Sequence, residues 1–180
     1  AVERAIRIKE IESECSIALL SDRSPGMSVF DHELPIEEPE HALTDKVENL
    51  DRSPFEQTLF LDTDTFVVDE QAFDELWGLL ERAPLAAAFD IARSGQTGRQ
   101  DIIDSQPPTS FPMLNTGVLL YEQPAVDPLI ERWREIHDEY VQQGEPNIND
   151  QIAFRRALWE TDFPFTVLPP EYNFIVPSPQ

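Results

Sequence analysis

Apolar positions along this chain recur with a period near four in some stretches and as short continuous runs in others, and the two kinds of stretch alternate. Residues 1–14 put Val2, Ile6 and Ile11 on one helical face. Residues 16–20 form a buried strand closed by turn residues at 21–26. Residues 29–36 alternate weakly as a second strand, and an acidic loop follows at 37–40. Thr44 is placed to cap a short helix carrying Asp45, Lys46, Val47 and Leu50. A turn at 53–58 leads into Leu59-Phe60-Leu61, a short apolar run of the kind buried in parallel sheets, and a helix start is expected at Asp69. Residues 71–82 are apolar at 73, 76, 77 and 80, a helical spacing ended by Pro84, and 85–89 read as another strand. The stretch 91–110, rich in Gly, Gln, Ser and Pro, reads as an active-site loop or a disordered excursion. Residues 113–121 are apolar around Asn115-Thr116-Gly117. Residues 124–142 form an amphipathic helix through Leu129, Ile130, Trp133, Ile136 and Tyr140. Asn149-Asp150 opens a helix running through Trp159, and 165–168 is a last strand. Strands alternating with helices, without an internal repeat, predict one α/β domain over 1–180 with a mainly parallel sheet.

Charge narrows the setting. Thirty-five Asp and Glu stand against thirteen Lys and Arg, a net charge of −22, while 41% hydrophobic residues, three Trp and eleven Phe are enough to build a core. Only Lys9 and Lys46 are lysines, and the other eleven basic residues are arginines. An excess of hydrated carboxylates with lysine nearly absent suits molar salt, where the Debye length falls to about 3 Å and mutual repulsion is screened. The reading is a salt-adapted, halophilic protein of the cytoplasm. No basic patch exists to neutralise the phosphates of nucleic acid or an anionic membrane surface, so a phosphate ligand here needs a metal bridge. No apolar run has the length of a membrane span, and no signal peptide is visible. The single Cys15 gives neither a disulfide framework nor a zinc cluster and reads as a small core residue.

The chemical handle is Asp62-Thr63-Asp64, two carboxylates spaced by one residue at the end of an apolar strand. On a strand, residues i and i+2 point to one side, so both can face one hard divalent cation. With 15 Asp in 180 residues, roughly one such pair is expected by chance, so the context must carry the reading. A strand, an acidic tip and a helix place the pair at the carboxyl end of a strand, where open α/β sheets bind ligands. A calcium loop counted from Asp62 requires Gly and Glu where Val67 and Phe73 stand. A haloacid dehalogenase-type phosphatase does not fit Phe66 or the lack of lysine after position 46. His32, His41 and His137 lie in acidic or helical contexts without a nucleophile elbow and read as solvated surface residues. None of the six glycines forms a dinucleotide-binding turn.

Lys46, then Arg52-Ser53-Pro54-Phe55-Glu56, then Thr58-Leu59-Phe60-Leu61-Asp62-Thr63-Asp64-Thr65 resembles the central motif of GT-A type glycosyltransferases, close to the retaining family 8 group. The resemblance continues through Leu114-Asn115-Thr116-Gly117-Val118-Leu119-Leu120, Asn149-Asp150-Gln151 and Leu168-Pro169-Pro170-Glu171-Tyr172-Asn173, four blocks in order over 44–174. It implies the GT-A fold and a metal-dependent transfer of a hexose from a nucleoside diphosphate sugar, a UDP-sugar, to an acceptor hydroxyl with retention. The acceptor, whether carbohydrate, lipid-linked or protein, is left open. Asp62 and Asp64 would bind Mn²⁺ or Mg²⁺, and Lys46 would contact the donor. Asn115, Thr116 and Gly117 would form a turn beside the sugar, Asp150 and Gln151 would lie beneath the transferred sugar as catalytic residues, and Asn173 would line the same pocket. For several of these positions a plain structural role stays open: Asp64 or Asp150 as a helix cap, 115–117 as a simple turn, and Lys46 in a surface ion pair with Asp45 or Glu48.

Two departures accompany the resemblance. The family's opening strand is not seen before Ala1, and its downstream His-containing segment would lie beyond Gln180, so the domain reads as incomplete at both ends. Two rivals stand beside it: a sugar-1-phosphate nucleotidyltransferase, which shares sheet and metal but carries a Gly-rich basic loop not visible here, and a non-catalytic binding relative.

Overall fold

A computed structural model describes residues 1–68, 71–91, 107–144 and 149–173. The expected helix start at Asp69 and most of the 91–110 stretch lie outside the described residues. Helix α1 (Val2–Ile11) precedes strands β1 (Ala18–Ser21) and β2 (His32–Pro35). Helix α2 (Leu43–Val47) and a 3₁₀ turn (Leu50–Arg52) then lead into β3 (Gln57–Leu61), α3 (Gln71–Trp77) and β4 (Leu85–Phe89). After β5 (Leu114–Glu122) come α4 (Asp127–Gln142), α5 (Asp150–Thr161), β6 (Thr166–Leu168) and a closing 3₁₀ turn (Pro170–Asn173).

The sheet corrects the expectation of mainly parallel pairing. Its order is β3-β5-β4-β6, with β5 antiparallel to both β3 and β4, and β4 parallel to β6. β3, β4 and β6 therefore run one way and β5 runs back between two of them. β5 is buried along nearly its whole length and β4 over Leu85 to Ala88, so each reads as a continuous apolar run whatever its direction, and hydropathy alone cannot tell the two pairings apart. β1 and β2 form a separate parallel pair. β3 was expected to be a buried strand; here it is the sheet's edge, with Leu59, Phe60 and Leu61 only half-buried.

One core lies between the sheet and the pair α4–α5, with Leu129, Trp133, Ile136, Phe154 and Leu158 against Leu85, Leu114 and Leu119. Trp133 and Phe154 rings meet at 4.6 Å between centroids. Arginines brace the outside: Arg132 reaches Glu135 and Glu160, each at 2.6 Å, and Arg156 reaches Glu139 at 2.8 Å and Glu160 at 2.6 Å. A second, smaller core gathers Leu76, Leu80, Ala86, Ala88, Leu120 and Leu168 on the sheet's other side.

Three local expectations change. Thr44 does not cap α2. The cap position is Ala42, and Asp45 instead accepts from the Glu40 and His41 amides at 2.9 and 2.8 Å, folding the acidic loop back on the helix. Cys15 is half-buried outside both cores. His32 and His41 are exposed as expected, but His137 is 1% exposed on the inner face of α4, and neither ring nitrogen has a hydrogen-bond partner among the described residues. A histidine at an apolar helical spacing, one turn beyond Trp133, is carried inward by its helix.

Burial holds the His137 imidazole below the ordinary histidine range, against the pull of Asp150, Asp138 and Glu40. The unfolded chain then takes up a proton at higher pH than the folded one, so stability falls as pH drops below about 6.5 and is regained above it. His137→Leu is expected to unfold at a urea midpoint no lower than the parent at about pH 8, where two unpartnered buried nitrogens are removed at a gain of about 1 kcal/mol. Between about pH 7 and pH 5 the variant should lose less stability than the parent.

Candidate functional site

The site forms where α2, the end of β3, the start of β5 and the start of α5 converge. Val47 and Leu50 are buried in the main core, and the Tyr121 hydroxyl donates to the Leu50 carbonyl at 2.8 Å. Burial pushes the Tyr121 phenol up to about 12, so it remains a donor across the usual pH range. Arg134 of α4 adds ion pairs to Asp51 at 3.0 Å and Glu48 at 3.1 Å. With its neighbours anchored on both sides, Lys46 reaches into the interior.

The Lys46 ammonium lies 2.7 Å from Asp150 Oδ2 and 3.7 Å from Asp62 Oδ1, and donates to Thr116 Oγ1 at 3.1 Å. Thr116 Oγ1 donates in turn to Asp150 Oδ2 at 2.8 Å. The side chains of Lys46 and Asp150 are 11% and 4% exposed, so this pair belongs to the interior. The surface ion pair left open for Lys46 is not formed; Asp45 is engaged with the loop amides and Glu48 with Arg134.

Asp150 is likewise not a helix cap. Asn149 caps α5, its Oδ1 accepting from the Gln151 amide at 2.9 Å, which leaves the Asp150 carboxylate for Lys46 and Thr116. The Asp150 carbonyl accepts from Trp133 Nε1 at 3.0 Å, fixing the helix start against α4. Trp133 is a supporting residue read from the sequence only as core. A buried indole N–H requires an acceptor, and that requirement was the available signal.

Asn115, Thr116 and Gly117 are not a turn. They stand inside β5, where the ladder to β4 is irregular: Ala87 faces Leu119, so regular pairing would set Phe89 against Gly117, yet Phe89 faces Leu114. The three extra residues on β5 are a bulge, a device that re-aims groups beside a site. The Asn115 Oδ1 accepts from the Gly117 amide at 2.8 Å. A Cβ at residue 117 would stand 3.0 Å from Asp62 Oδ2, 3.1 Å from Asn173 Nδ2 and 3.2 Å from Asn115 Oδ1, so glycine is what allows these three polar groups to close on one point.

The acid pair is arranged differently from a strand's two-residue repeat. β3 ends at Leu61, the Asp62 amide donates to the Gly117 carbonyl at 2.8 Å, and the Thr65 amide donates to the Asp62 carbonyl at 2.9 Å, which makes 62–65 a tight turn. Asp62 is partly buried beneath the turn and Asp64 is exposed upon it. Burial raises the Asp62 carboxyl above the usual carboxylate range, with Asp150 and Asp64 pushing the same way and Lys46 opposing. The contacting cluster thus holds two carboxylates, Asp62 and Asp150, to one ammonium, with the exposed Asp64 carboxylate nearby, an excess of negative charge that a cation would relieve.

Lys46, Asp62, Thr116 and Asp150 are joined by direct contacts, and Asn115, Gly117 and Asn173 close around Asp62. Asp64 makes no ion pair among the described residues. Gln151 is buried beside Asp150, and its Oε1, like Asn173 Nδ2, has no hydrogen-bond partner among the described residues. No group of three or more His, Cys, Asp or Glu placed to grip an ion occurs among the described residues. Asp62 and Asp64 offer two hard oxygen donors, which is the set used for Mg²⁺ or Mn²⁺ held by one or two carboxylates together with substrate phosphates. The residues fit an ion of that kind, and the missing Cβ at Gly117 keeps the surroundings of Asp62 Oδ2 clear.

No protein-family model and no curated protein matches this sequence. Among solved structures, the chain is similar to the galactosyltransferase LgtC in complex with donor and acceptor sugar analogues, at 16% identity and a TM-score of 0.53, over 86% of this chain and 64% of that one. An active-site mutant of LgtC matches at 16% identity and a TM-score of 0.52, over 84% and 63%. The chain thus spans under two thirds of the LgtC chains it matches. Bifunctional IspDF from Campylobacter jejuni also matches, at 10% identity over 93% of this chain and 41% of that one, but its TM-score of 0.49 is too low to bear on the fold. The LgtC likeness shows a glycosyltransferase-like α/β fold.

Lys46→Met leaves Asp150 buried without its counter-ion and is expected to lower unfolding stability by about 3–5 kcal/mol; adding Asp150→Leu should recover much of that loss, as denaturant titration would show. Gly117→Ala is expected to cost about 1–3 kcal/mol by forcing Asp62, Asn115 and Asn173 apart, measured the same way.

Proposed function

We propose that this protein is a metal-dependent glycosyltransferase of the GT-A type, close to the retaining family 8 group, moving a hexose from a UDP-sugar to an acceptor hydroxyl. The observation that carries the reading is that residues from all four sequence blocks come together: Lys46 lies against Asp62, Thr116 and Asp150, and Asn173 stands with Asp62 beside Gly117. The glycosyltransferase-like fold supports it. No helix among the described residues is long and apolar enough to cross a membrane.

Asp62 and Asp64 would hold Mn²⁺ or Mg²⁺, and the bound ion would supply positive charge against the charge growing on the departing diphosphate. Lys46 supplies the ammonium of this cluster, and its contacts to Asp62, Thr116 and Asp150 hold it beside the place a diphosphate would take. Asp150, fixed by Lys46 and Thr116, is held too firmly for a mobile base and is suited to support positive charge developing on the sugar ring. Gln151 Oε1 is an acceptor awaiting a donor and Asn173 Nδ2 a donor awaiting an acceptor, a combination that suits a polyhydroxylated ligand. Retention would leave the acceptor proton to the leaving phosphate oxygen, since no described side chain stands out as a dedicated base.

Calorimetric titration of UDP-glucose, UDP-galactose and GDP-mannose in molar KCl, with Mn²⁺ or with EDTA, tests the reading. Binding of a UDP-sugar is expected only with the metal, and Asp62→Asn/Asp64→Asn should weaken it by at least about tenfold, or 1.4 kcal/mol. Metal-dependent affinity should also decline on acidification from a higher pH than an ordinary carboxylate would give, because Asp62 must be ionised to act. Asp150→Asn should keep donor affinity and lose turnover. Unchanged turnover in that variant would remove Asp150 from catalysis, and donor binding without any turnover by the parent would favour a binding module.

A further inference from the structure

On α5, Gln151, Arg155 and Trp159 follow one another at intervals of four and so lie toward one side of the helix. Gln151 stands at the candidate site, its Oε1 without a hydrogen-bond partner among the described residues, and Trp159 lies about 12 Å further along the axis. Arg155, between them, is 5% exposed and directs its donors at the main chain. Its Nη2 donates to the Pro108 and Phe111 carbonyls at 2.6 and 2.9 Å, and its Nε to the Phe111 carbonyl at 3.2 Å. The Phe111 amide closes the same turn on the Pro108 carbonyl at 2.8 Å, and the guanidinium stands 5.8 Å from the Phe111 ring centroid. Residues 108–111 are thereby fixed to α5, with Pro108, Thr109 and Ser110 exposed and Phe111 half-buried.

Phe111 is the base of an aromatic group at the surface. Its ring meets Trp159 at 5.2 Å and Phe165 at 6.0 Å between centroids, both T-shaped. Phe111 and Phe165 pack against the main core, whereas Trp159 lies outside it on Phe111 and is 48% exposed. Val167, on the same side of its strand as Phe165, is 44% exposed at the rim. A T-shaped contact takes at most one face of the indole and leaves the other for a ligand. At this exposure the indole offers about 100 Å². Each partner in a stable protein interface brings roughly 800 Å², so the patch is far too small for one. It is the right size for a sugar ring. One face of a hexopyranose is a layer of C–H groups that settles on the negative face of an aromatic ring, while the hydroxyls turn outward to polar neighbours. Ser110 and Asp162, exposed and within three residues of these rings, are such neighbours. With Asp162 beside the patch and −22 overall, an anionic sugar is repelled. Because Arg155 already holds Phe111 in place, binding requires little further ordering.

We infer that Trp159, seated on Phe111, is a stacking platform for a neutral oligosaccharide acceptor, one ring of which lies on the indole while the end of the chain reaches Gln151 and Asp150. The inference rests on the glycosyl transfer proposed above and narrows its acceptor to a sugar chain. A single hexose is too short to touch Trp159 and Gln151 together, so affinity should grow with the number of linked rings.

The test follows the Trp159 indole N–H by NMR in molar KCl with EDTA and no nucleotide sugar. Maltohexaose, cellohexaose, mannohexaose and chitohexaose are titrated in turn, each beside its monosaccharide. At least one hexaose should move the Trp159 signal saturably and bind at least about tenfold tighter than its monosaccharide. Trp159→Ala should weaken that hexaose by at least about tenfold in calorimetry, and Trp159→Phe should keep most of the affinity. The Trp133 indole signal, set by its bond to the Asp150 carbonyl, should stay in place in both variants and so report an intact fold. No saturable shift with any of the hexaoses, equal affinity for hexaose and monosaccharide, or binding unchanged by Trp159→Ala overturns the inference. A Trp159 signal that moves with protein concentration in the absence of sugar identifies a second copy as the occupant and overturns it as well. With neither metal nor donor present, failure here leaves metal-dependent donor binding standing, and failure of donor binding leaves the stacking measurement readable.

Discussion

The contact between Lys46 and Asp150 governs the arrangement around it. An ion pair in the interior is expensive to desolvate, and removing either partner leaves a buried charge that costs several kcal/mol. Lys46 belongs to α2, Asp150 to the first turn of α5, and Thr116, which touches both, to β5. Three segments distant in sequence are thereby held to one geometry. The Asn149 cap, the Trp133 indole and the bulge in β5 serve the same end, because each releases or aims one member of the cluster. Asp62 completes the group from the end of β3, and its main chain is fixed through the Gly117 carbonyl.

Charge is distributed with a clear division of labour. The arginines of α4 and α5 answer glutamates across the outer helix pair, where exposed ion pairs contribute little one by one but form a connected network through Glu139 and Glu160. The interior cluster is left with more carboxylate than ammonium. In a protein carrying −22 overall, the same excess that repels polyanions means that the proposed phosphate ligand would need a small cation beside it.

Much of this was readable from local pattern. The helical spacing of Leu129, Trp133, Ile136 and Tyr140 gave α4, and Asn149-Asp150 before an apolar run gave α5. The resemblance picked out Lys46, Asp62, Asp64, Asn115, Thr116, Gly117, Asp150, Gln151 and Asn173; of these, Lys46, Asp62, Thr116 and Asp150 are in direct contact and Asn115 and Asn173 stand with Asp62 around Gly117, while Asp64 lies exposed, and no stretch of sequence says what holds them. What stayed hidden was long-range. Nothing in Asn115-Thr116-Gly117 distinguishes a turn from a bulge, because the difference lies in the register with β4. The reversed direction of β5 is equally silent, since a strand buried on both faces has the same composition in either sense. Thr44 looked like a cap because short polar side chains favour caps, yet the acidic loop brought Asp45 to the available amides first. His137 looked solvated because only its neighbours in sequence were visible.

The scarcity of lysine gives the molecule a built-in reporter. Of its two ammonium side chains, Lys9 is tied to Asp31 at 3.0 Å and lies a quarter exposed, while Lys46 is enclosed within the acidic cluster. Among the lysines, an amine-directed acylating reagent therefore meets one that is accessible and one shielded by the residues proposed to bind a ligand. The rate at which Lys46 is modified measures how often that cluster opens, and a mass spectrum reads it without a label.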